Sequence, residues 1–93
     1  MIDGDVKEFV DNLYYGSGMY FIFRGKKYFI QGWYKEPFHY LVLTEEEDAD
    51  FLKGYIWEHS SQDSAECVEA FLDTKLWDGK TFYEVEKEMT WTD

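Results

Sequence analysis

The fold is decided by residues 19–44, which read MYFIFRGKKYFIQGWYKEPFHYLVLT. Aromatic and β-branched residues dominate this stretch, and turn-forming Gly and Pro residues interrupt it, which is typical of short strands joined by hairpins. The pattern predicts a three-stranded antiparallel meander. Its strands are expected at residues 19–24, 27–34 and 39–44.

Two connections join these strands, and their lengths can be predicted. Gly25-Lys26 is expected to form a two-residue type II′ turn, because that turn type places Gly first. Residues 35–38 are expected to form a four-residue loop, because Pro37 cannot occupy a paired central strand.

The turn lengths set the strand register, and the register divides the side chains between the two faces of the sheet. Phe23 is predicted to lie opposite Tyr28, and Tyr34 opposite His39. One face is therefore expected to form the core beneath the helices. Its members are Met19, Phe21, Phe23, Tyr28, Ile30, Tyr34, His39, Leu41 and Leu43.

The other predicted face is unusually apolar for a sheet surface. A solvated face is normally polar, and an exposed apolar patch usually marks an interface. Three interpretations stay open: a helix, such as the first, covers this face; two copies dimerise through it; or a partner binds there. The face carries Tyr20, Ile22, Arg24, Lys27, Phe29, Gln31, Trp33, Tyr40, Val42 and Thr44.

Helices are predicted on both sides of the meander. Apolar residues recur at helical spacing in 5–15, 63–74 and 81–89. Asp3 or Asp5 can cap the first helix, which Gly16-Ser17-Gly18 ends. Capping pairs three residues apart, Asp63 with Glu66 and Thr81 with Glu84, begin the other two helices. Residues 55–58 can form a fourth strand, and Trp91 is expected to pack back on the body.

These elements predict one α+β domain over residues 1–93. It consists of an N-terminal helix, an antiparallel meander of three or four strands, and two C-terminal helices packed on the sheet. The chain has 93 residues, of which 22% are aromatic, so a few elements can close a core without metal or disulfides.

The sequence argues against a membrane-spanning or secreted protein. No apolar run approaches the roughly 20 residues that span a bilayer, and the N-terminus lacks the features of a signal peptide. Cys67 is the single cysteine, so no internal disulfide can form. We therefore expect no membrane association and a cytoplasmic location.

The formal charge is −11, and it is unevenly distributed. The negative charge of residues 1–18 and the positive charge of residues 19–44 cancel, so residues 45–93 account for the total. An acidic chain repels phosphate backbones, which argues against direct nucleic-acid binding. Aromatics beside Arg24 and Lys27 invite comparison with RNA-recognition sheets, but the element order and the glycine-aromatic signature differ.

No motif in the sequence predicts a reaction. His39, His59 and Cys67 match no zinc motif, and Glu45 to Asp50 lacks the ligand pattern of a calcium loop. Cys67 lies between carboxylates on a predicted helix, where a packing role is expected, because nearby negative charge disfavours the thiolate. We therefore predict no enzyme activity, no metal site and no cofactor.

Two resemblances add to this interpretation. The Gly25–Gly32 hairpin, the stretch Glu66–Leu72 and the stretch Leu76–Trp91 resemble a group of small acidic bacterial proteins of Firmicutes type and unknown function. That resemblance spans about residues 6–91 and implies a shared fold and a bacterial cytoplasmic origin. In layout alone, the chain is similar to phage anti-CRISPR inhibitors, which imitate the negative charge of nucleic acid.

The leading functional hypothesis is a non-enzymatic interaction module, of inhibitor or adaptor type, that binds a basic partner protein by charge complementarity. Its expected contact residues are Glu45, Glu46, Glu47, Asp48 and Asp50.

The alternative hypotheses use the aromatic face of the meander. It can bind a small ligand or a peptide, or it can hold a structural homodimer together. The expected contact residues are Tyr20, Phe29, Trp33 and Tyr40.

Overall fold

The computed structural model describes residues 1–46 and 55–92. They form an α+β fold in which an N-terminal helix precedes the meander and further helices follow it, as the sequence predicts. The elements are α1 (Val6–Tyr14), β1 (Met19–Phe23), β2 (Lys26–Lys35), β3 (Phe38–Glu46), β4 (Trp57–Ser61), α2 (Ser64–Asp73), α3 (Phe82–Val85), a 3₁₀ turn (Glu86–Glu88) and β5 (Met89–Trp91).

Within the described residues the sheet has five strands in the order β4-β3-β2-β1-β5, and every pair of neighbours is antiparallel. The predicted number of three or four strands is therefore wrong. The expected fourth strand exists but begins two residues later, at Trp57. The fifth strand takes the end of the chain, where Trp91 pairs with Phe21 and Met89 pairs with Phe23.

The first hairpin turn differs from its prediction. Phe23 pairs with Lys26, so the loop residues are Arg24 and Gly25 rather than Gly25 and Lys26. Both loop residues have positive φ, 50° and 80°, as a type I′ turn requires. Phe21, not Phe23, therefore lies opposite Tyr28. Because the register moves by two residues, the division of side chains between the faces is unchanged.

The second hairpin turn is also tighter than expected. Lys35 pairs with Phe38, which leaves Glu36 and Pro37 as a two-residue turn in place of a four-residue loop. Tyr34 lies opposite His39, as the sequence predicts.

Side-chain caps begin the helices at the expected residues. Asp5 accepts from the Lys7 N–H, and Asp63 accepts from the Ala65 N–H, each at 3.0 Å. The Asp63 side chain caps the second helix as predicted, but Glu66 does not complete the capping pair. Its carboxylate contacts the His59 ring instead. The third predicted helix is shorter than 81–89, since α3 and its 3₁₀ turn give way to β5 at Met89.

The helices share one face of the sheet. Phe9 of α1 is fully buried and its ring contacts the rings of Phe21, Phe82 and Trp91 at 5.4–5.6 Å. The first helix therefore lies on the core face, so the interpretation in which this helix covers the opposite face is wrong, and those of a dimer or a partner stay open. Within residues 1–46 and 55–92, the helices pack into a single core with Phe21, Ile30 and their neighbours.

Two glycines bring the end of α1 against the sheet. A Cβ on Gly32 would lie 3.4 Å from the Gly16 Cα and 3.1 Å from the Tyr40 carbonyl oxygen. Gly16 ends the helix with a φ of 73°, which residues with side chains rarely adopt. The C-terminal turn of α1 is thus held beside the β2–β3 hairpin.

Candidate functional site

A cleft of about 260 Å³ opens where the end of α1, the turn end of the β2–β3 hairpin and the start of α2 meet. We call it the aromatic cleft. It is lined by Leu13, Tyr14, Tyr15, Gly16, Gly32, Trp33, Tyr34, His39, Tyr40, Leu41, Ser64, Cys67 and Val68.

Large aromatic side chains are exposed at this cleft. Tyr15 is 83% exposed, Tyr34 58%, Tyr14 43% and Trp33 40%. Phe38, also exposed, follows the same hairpin turn. Five of the nine exposed large hydrophobic residues in the described part of the chain are therefore at one end of the molecule. Such a concentration of apolar surface is typical of a binding site.

The ends of the elements explain why these rings are exposed. Tyr14 closes α1, beyond the buried positions Phe9 and Leu13. Tyr34 and His39 face each other at the penultimate strand pair before the turn, with ring centroids 4.6 Å apart. Their side chains belong to the core face by alternation, but the helices leave this corner of the face open.

A second group of rings adjoins the cleft from the other face of the sheet. Trp33 stacks on Tyr40 with centroids 5.6 Å apart and lies 6.3 Å from the ring of Tyr55. Trp33 and Tyr40 belong to the predicted aromatic site, and both line the cleft.

Tyr20 and Phe29, the other two predicted aromatic residues, form a separate pair. Their rings stack at 4.5 Å, and the Lys27 ammonium lies 4.7 Å from the Tyr20 ring. Both side chains are half-buried and neither lines the cleft. The structure therefore places all four predicted residues on one sheet face but divides them into two pairs.

The polar side chains at the cleft include His39, Ser64 and Cys67. The Cys67 thiol donates to the His39 carbonyl oxygen at 3.5 Å, and Cys67 is only 2% exposed. Burial, reinforced by the negative charges of Glu66 and Asp63, raises the pKa of this thiol. A thiol that stays protonated at neutral pH is a weak nucleophile, so cleft chemistry does not favour cysteine catalysis.

The predicted acidic site is only partly within the described residues. Glu45 faces Tyr28 across the sheet, and its carboxylate lies 3.5 Å from the Lys26 ammonium. Burial and this carboxylate together raise the pKa of Tyr28. Glu45 is thus half-buried and ion-paired, not a free surface charge. Glu46 pairs with Lys27 through its backbone, and Glu47, Asp48 and Asp50 lie outside the described residues.

Carboxylates are instead spread along the outer faces of the helices. Exposed examples on α1 are Glu8 and Asp11, and exposed examples on α2 are Glu66, Glu69 and Asp73. Asp11, Asp63 and Glu66 belong to the elements that build the aromatic cleft. Asp63 and Glu66 adjoin the cleft-lining residues Ser64 and Cys67 in sequence, and their negative charges contribute to the raised pKa of the Cys67 thiol.

A second hollow, of about 270 Å³, lies at the opposite end of the sheet beside Trp77. Arg24 and Lys26 line it, but both are already paired. The Arg24 guanidinium contacts Asp78 and Glu88, and Lys26 contacts Glu45. A ligand would have to displace these ion pairs, which makes this hollow a weaker candidate.

Sequence reasoning missed Tyr14, Tyr15, Tyr34 and His39 as site residues. Tyr34 and His39 were assigned to the buried face by alternation alone. A signal was present, because each tyrosine is next to a helix end or a turn: Tyr14 and Tyr15 precede Gly16, and Tyr34 precedes the Lys35–Pro37 segment. Aromatics at such positions can reach past the cover of the core.

In the comparisons with known proteins, no family model, curated protein or solved structure matches this chain. The resemblances drawn from the sequence therefore stay predictions. In the described part of the chain, no helix is long and apolar enough to cross a membrane. Those residues also bring no three His, Cys, Asp or Glu side chains together in a metal-binding group.

Proposed function

We propose that this protein is a non-enzymatic interaction module that binds a peptide segment of a partner protein in the aromatic cleft. The supporting observation is the concentration of exposed aromatics at the cleft, with Tyr15 and Tyr34 exposed by 83% and 58%. Tyrosine and tryptophan supply large contact area at a low cost in side-chain entropy, which is why they dominate binding surfaces.

The form of the cleft also favours a peptide. Its volume of about 260 Å³ is below the size of most drug-sized ligand pockets, and it lies open at the surface. A shallow site of this kind suits one or two side chains of an extended segment better than an enclosed small molecule. The raised pKa of the Cys67 thiol supports binding rather than catalysis.

The proposed contact residues differ from those predicted from the sequence, but the proposed kind of function, a non-enzymatic interaction module, is the same. Trp33 and Tyr40 remain contact residues, whereas Tyr20 and Phe29 do not line the cleft. Glu45 is ion-paired with Lys26 and does not line the cleft, so it is not among the proposed contact residues. A cytoplasmic location is part of the proposal, since a free, buried cysteine fits a reducing compartment.

A random peptide display library, panned against the immobilised protein, tests the proposal. The Tyr15→Ala and Tyr34→Ala variants remove exposed rings from the cleft. Tyr83→Ala is a matched control, because Tyr83 is 56% exposed on α3 and does not line the cleft.

We expect enriched peptides to bind the native protein and the Tyr83→Ala variant equally, and to lose at least about tenfold in affinity with each cleft variant. The proposal would be overturned if the enriched peptides bound the cleft variants as tightly as the native protein, or if no peptide were enriched.

A further inference from the structure

The charge around the aromatic cleft selects among the possible occupants. Asp63 and Glu66 lie at the start of α2, Asp11 lies in α1, and Glu36 lies in the turn after Tyr34. The hairpin contributes Lys35 as a counter-charge. The carboxylates outnumber this cation, and the whole chain carries −11, so an anionic ligand is repelled.

The start of α2 does not reverse this field. A free helix N-terminus attracts anions through its unpaired N–H groups and its dipole. Here Asp63 already accepts from the Ala65 N–H at 3.0 Å, and Glu66 occupies the first turn. The negative side chains offset the positive helix end.

Exposed aromatic faces add a second preference for positive charge. The negative face of a Tyr or Trp ring attracts a cation within about 6 Å, and Arg makes this contact more often than Lys. The molecule already contains this arrangement, since the Arg24 guanidinium lies 4.9 Å from the Phe23 ring. A planar guanidinium can also stack on a ring, which an ammonium cannot.

We propose that the aromatic cleft receives an arginine side chain carried by a basic peptide segment. This inference rests on the proposed function and names its partner class. The exposed rings of Tyr15, Tyr34 and Trp33 line the cleft and supply the stacking surface. Asp63, whose neighbour Ser64 lines the cleft, supplies the charge complement, whereas the Glu66 carboxylate already lies 2.6 Å from the His59 ring. Asp63 is not one of the carboxylates in the acidic site predicted from the sequence, which comprised Glu45, Glu46, Glu47, Asp48 and Asp50.

Two synthetic peptides of equal length and charge provide the probe, one built on arginine and glycine and the other on lysine and glycine. Titration followed by NMR of the backbone amides gives both the affinity and the location of binding. Both cations can lie over a ring, but only the planar guanidinium can also stack on it, so we expect the arginine peptide to bind at least about threefold more tightly than the lysine peptide. We also expect Tyr34→Ala to remove most of that difference.

Charge variants test the second half of the inference. Asp63→Asn keeps the cap, because Asn caps helices as well as Asp does. Asp63 directly precedes Ser64, which lines the cleft. Glu8→Gln is the matched control, since Glu8 is an exposed carboxylate in the first turn of α1, at the end of the helix away from the cleft. We expect Asp63→Asn to weaken the arginine peptide more than Glu8→Gln does, although both variants change the net charge equally.

The outcomes separate the two proposals. Library peptides that need Tyr15 and Tyr34 but are neutral or acidic would overturn the arginine inference and leave the peptide-binding function intact. Equal affinity for the arginine and lysine peptides would also overturn it. Library peptides that ignore the cleft would overturn both. Concentration-dependent shifts of cleft amides without any peptide would identify a second copy as the occupant, and would likewise overturn both.

Discussion

Exposed and buried aromatic rings have different roles in this protein, and Tyr15 and Phe9 differ most in solvent exposure. Tyr15 is 83% exposed at the end of α1, whereas Phe9 is fully buried in the same helix. Phe9 contacts rings from β1, α3 and β5, so it joins four parts of the chain. Binding and stability are therefore separable at the level of single side chains.

Substitution of these two residues should affect the free energy of unfolding very differently. We expect Phe9→Ala to lower the free energy of unfolding by about 3–5 kcal/mol, because it leaves a cavity in the core. Tyr15→Ala should change it by less than about 0.5 kcal/mol, as surface substitutions do. Urea denaturation followed by tryptophan fluorescence measures both. A large loss of stability in Tyr15→Ala would mean that this ring supports the fold, and would disqualify it as a binding probe.

The Cys67 thiol should react slowly with electrophiles in the folded protein. Burial, together with Glu66 and Asp63, raises its pKa, so the thiolate fraction at a given pH is lower than in the unfolded chain. We expect iodoacetamide to react with Cys67 far more slowly in the native protein than in denaturant at the same pH. As the pH rises toward the raised pKa, the native rate should increase and the protein should lose stability, because the unfolded chain gives up its proton first.

A fast native reaction at neutral pH would contradict this expectation. It would indicate an activated thiolate in the aromatic cleft, and the case against cysteine chemistry would then fail. The Cys67→Ala variant controls for reaction of the reagent at other side chains.

At the scale of elements, the contact between α1 and the β2–β3 hairpin positions the cleft. Gly32 permits this contact, because an added Cβ would meet the backbone of Gly16 and Tyr40. Backbone atoms cannot rotate away as a flexible side chain can. The two tyrosines at the end of α1 therefore owe their position to a glycine on a neighbouring strand.

Gly32→Ala should test this contact. We expect a loss of about 1–3 kcal/mol in the free energy of unfolding, the usual cost of overpacking. Amide shifts should concentrate at Tyr14, Tyr15 and the hairpin. Gly25 is the contrasting position, because nothing lies within 4 Å of its Cβ site but its φ is +80°. Gly25→Asn should be tolerated, since Asn enters the left-handed region readily, whereas Gly32→Asn should destabilise at least as much as Gly32→Ala.

Local sequence signals predicted most elements, and they failed where long-range contacts decide. Alternation and turn residues located the three meander strands, and capping residues located the helix starts at Asp5, Asp63 and Thr81. Residues 89–91 became a strand because the edge of β1 was available to pair with them, which local propensity cannot reveal. The turn shift from Gly25-Lys26 to Arg24-Gly25 kept the faces because it moved the register by two.

The candidate site was predicted less well for a related reason. Alternation assigns Tyr34 and His39 to the buried face, but it cannot say where the covering helices stop. Tyr34 is 58% exposed because α1 and α2 leave that corner uncovered. Trp33 and Tyr40 line the cleft because they lie at the same end of the hairpin, and their role in binding stays a prediction.

At the scale of the whole molecule, the net negative charge destabilises the folded protein but favours binding of a basic peptide. A charge of −11 on 93 residues makes the compact state repel itself, and dissolved salt screens that repulsion. The same screening weakens attraction between the acidic surface and a basic peptide. Salt should therefore stabilise the free protein and destabilise its complex.

Melting curves at neutral pH in sodium chloride test the first half of this argument. We expect the melting temperature to rise by a few degrees between about 0.01 M and about 0.15 M salt, the shift that about 0.5–1 kcal/mol produces in a domain of this size. Chloride is the suitable salt, because sulfate stabilises proteins by exclusion from their surface whatever their charge. Over the same range the arginine peptide should bind progressively more weakly. A melting temperature that falls with salt would mean that attractive ion pairs such as Arg24–Asp78 outweigh the repulsion, and that the acidic surface is internally compensated and not available for a basic partner.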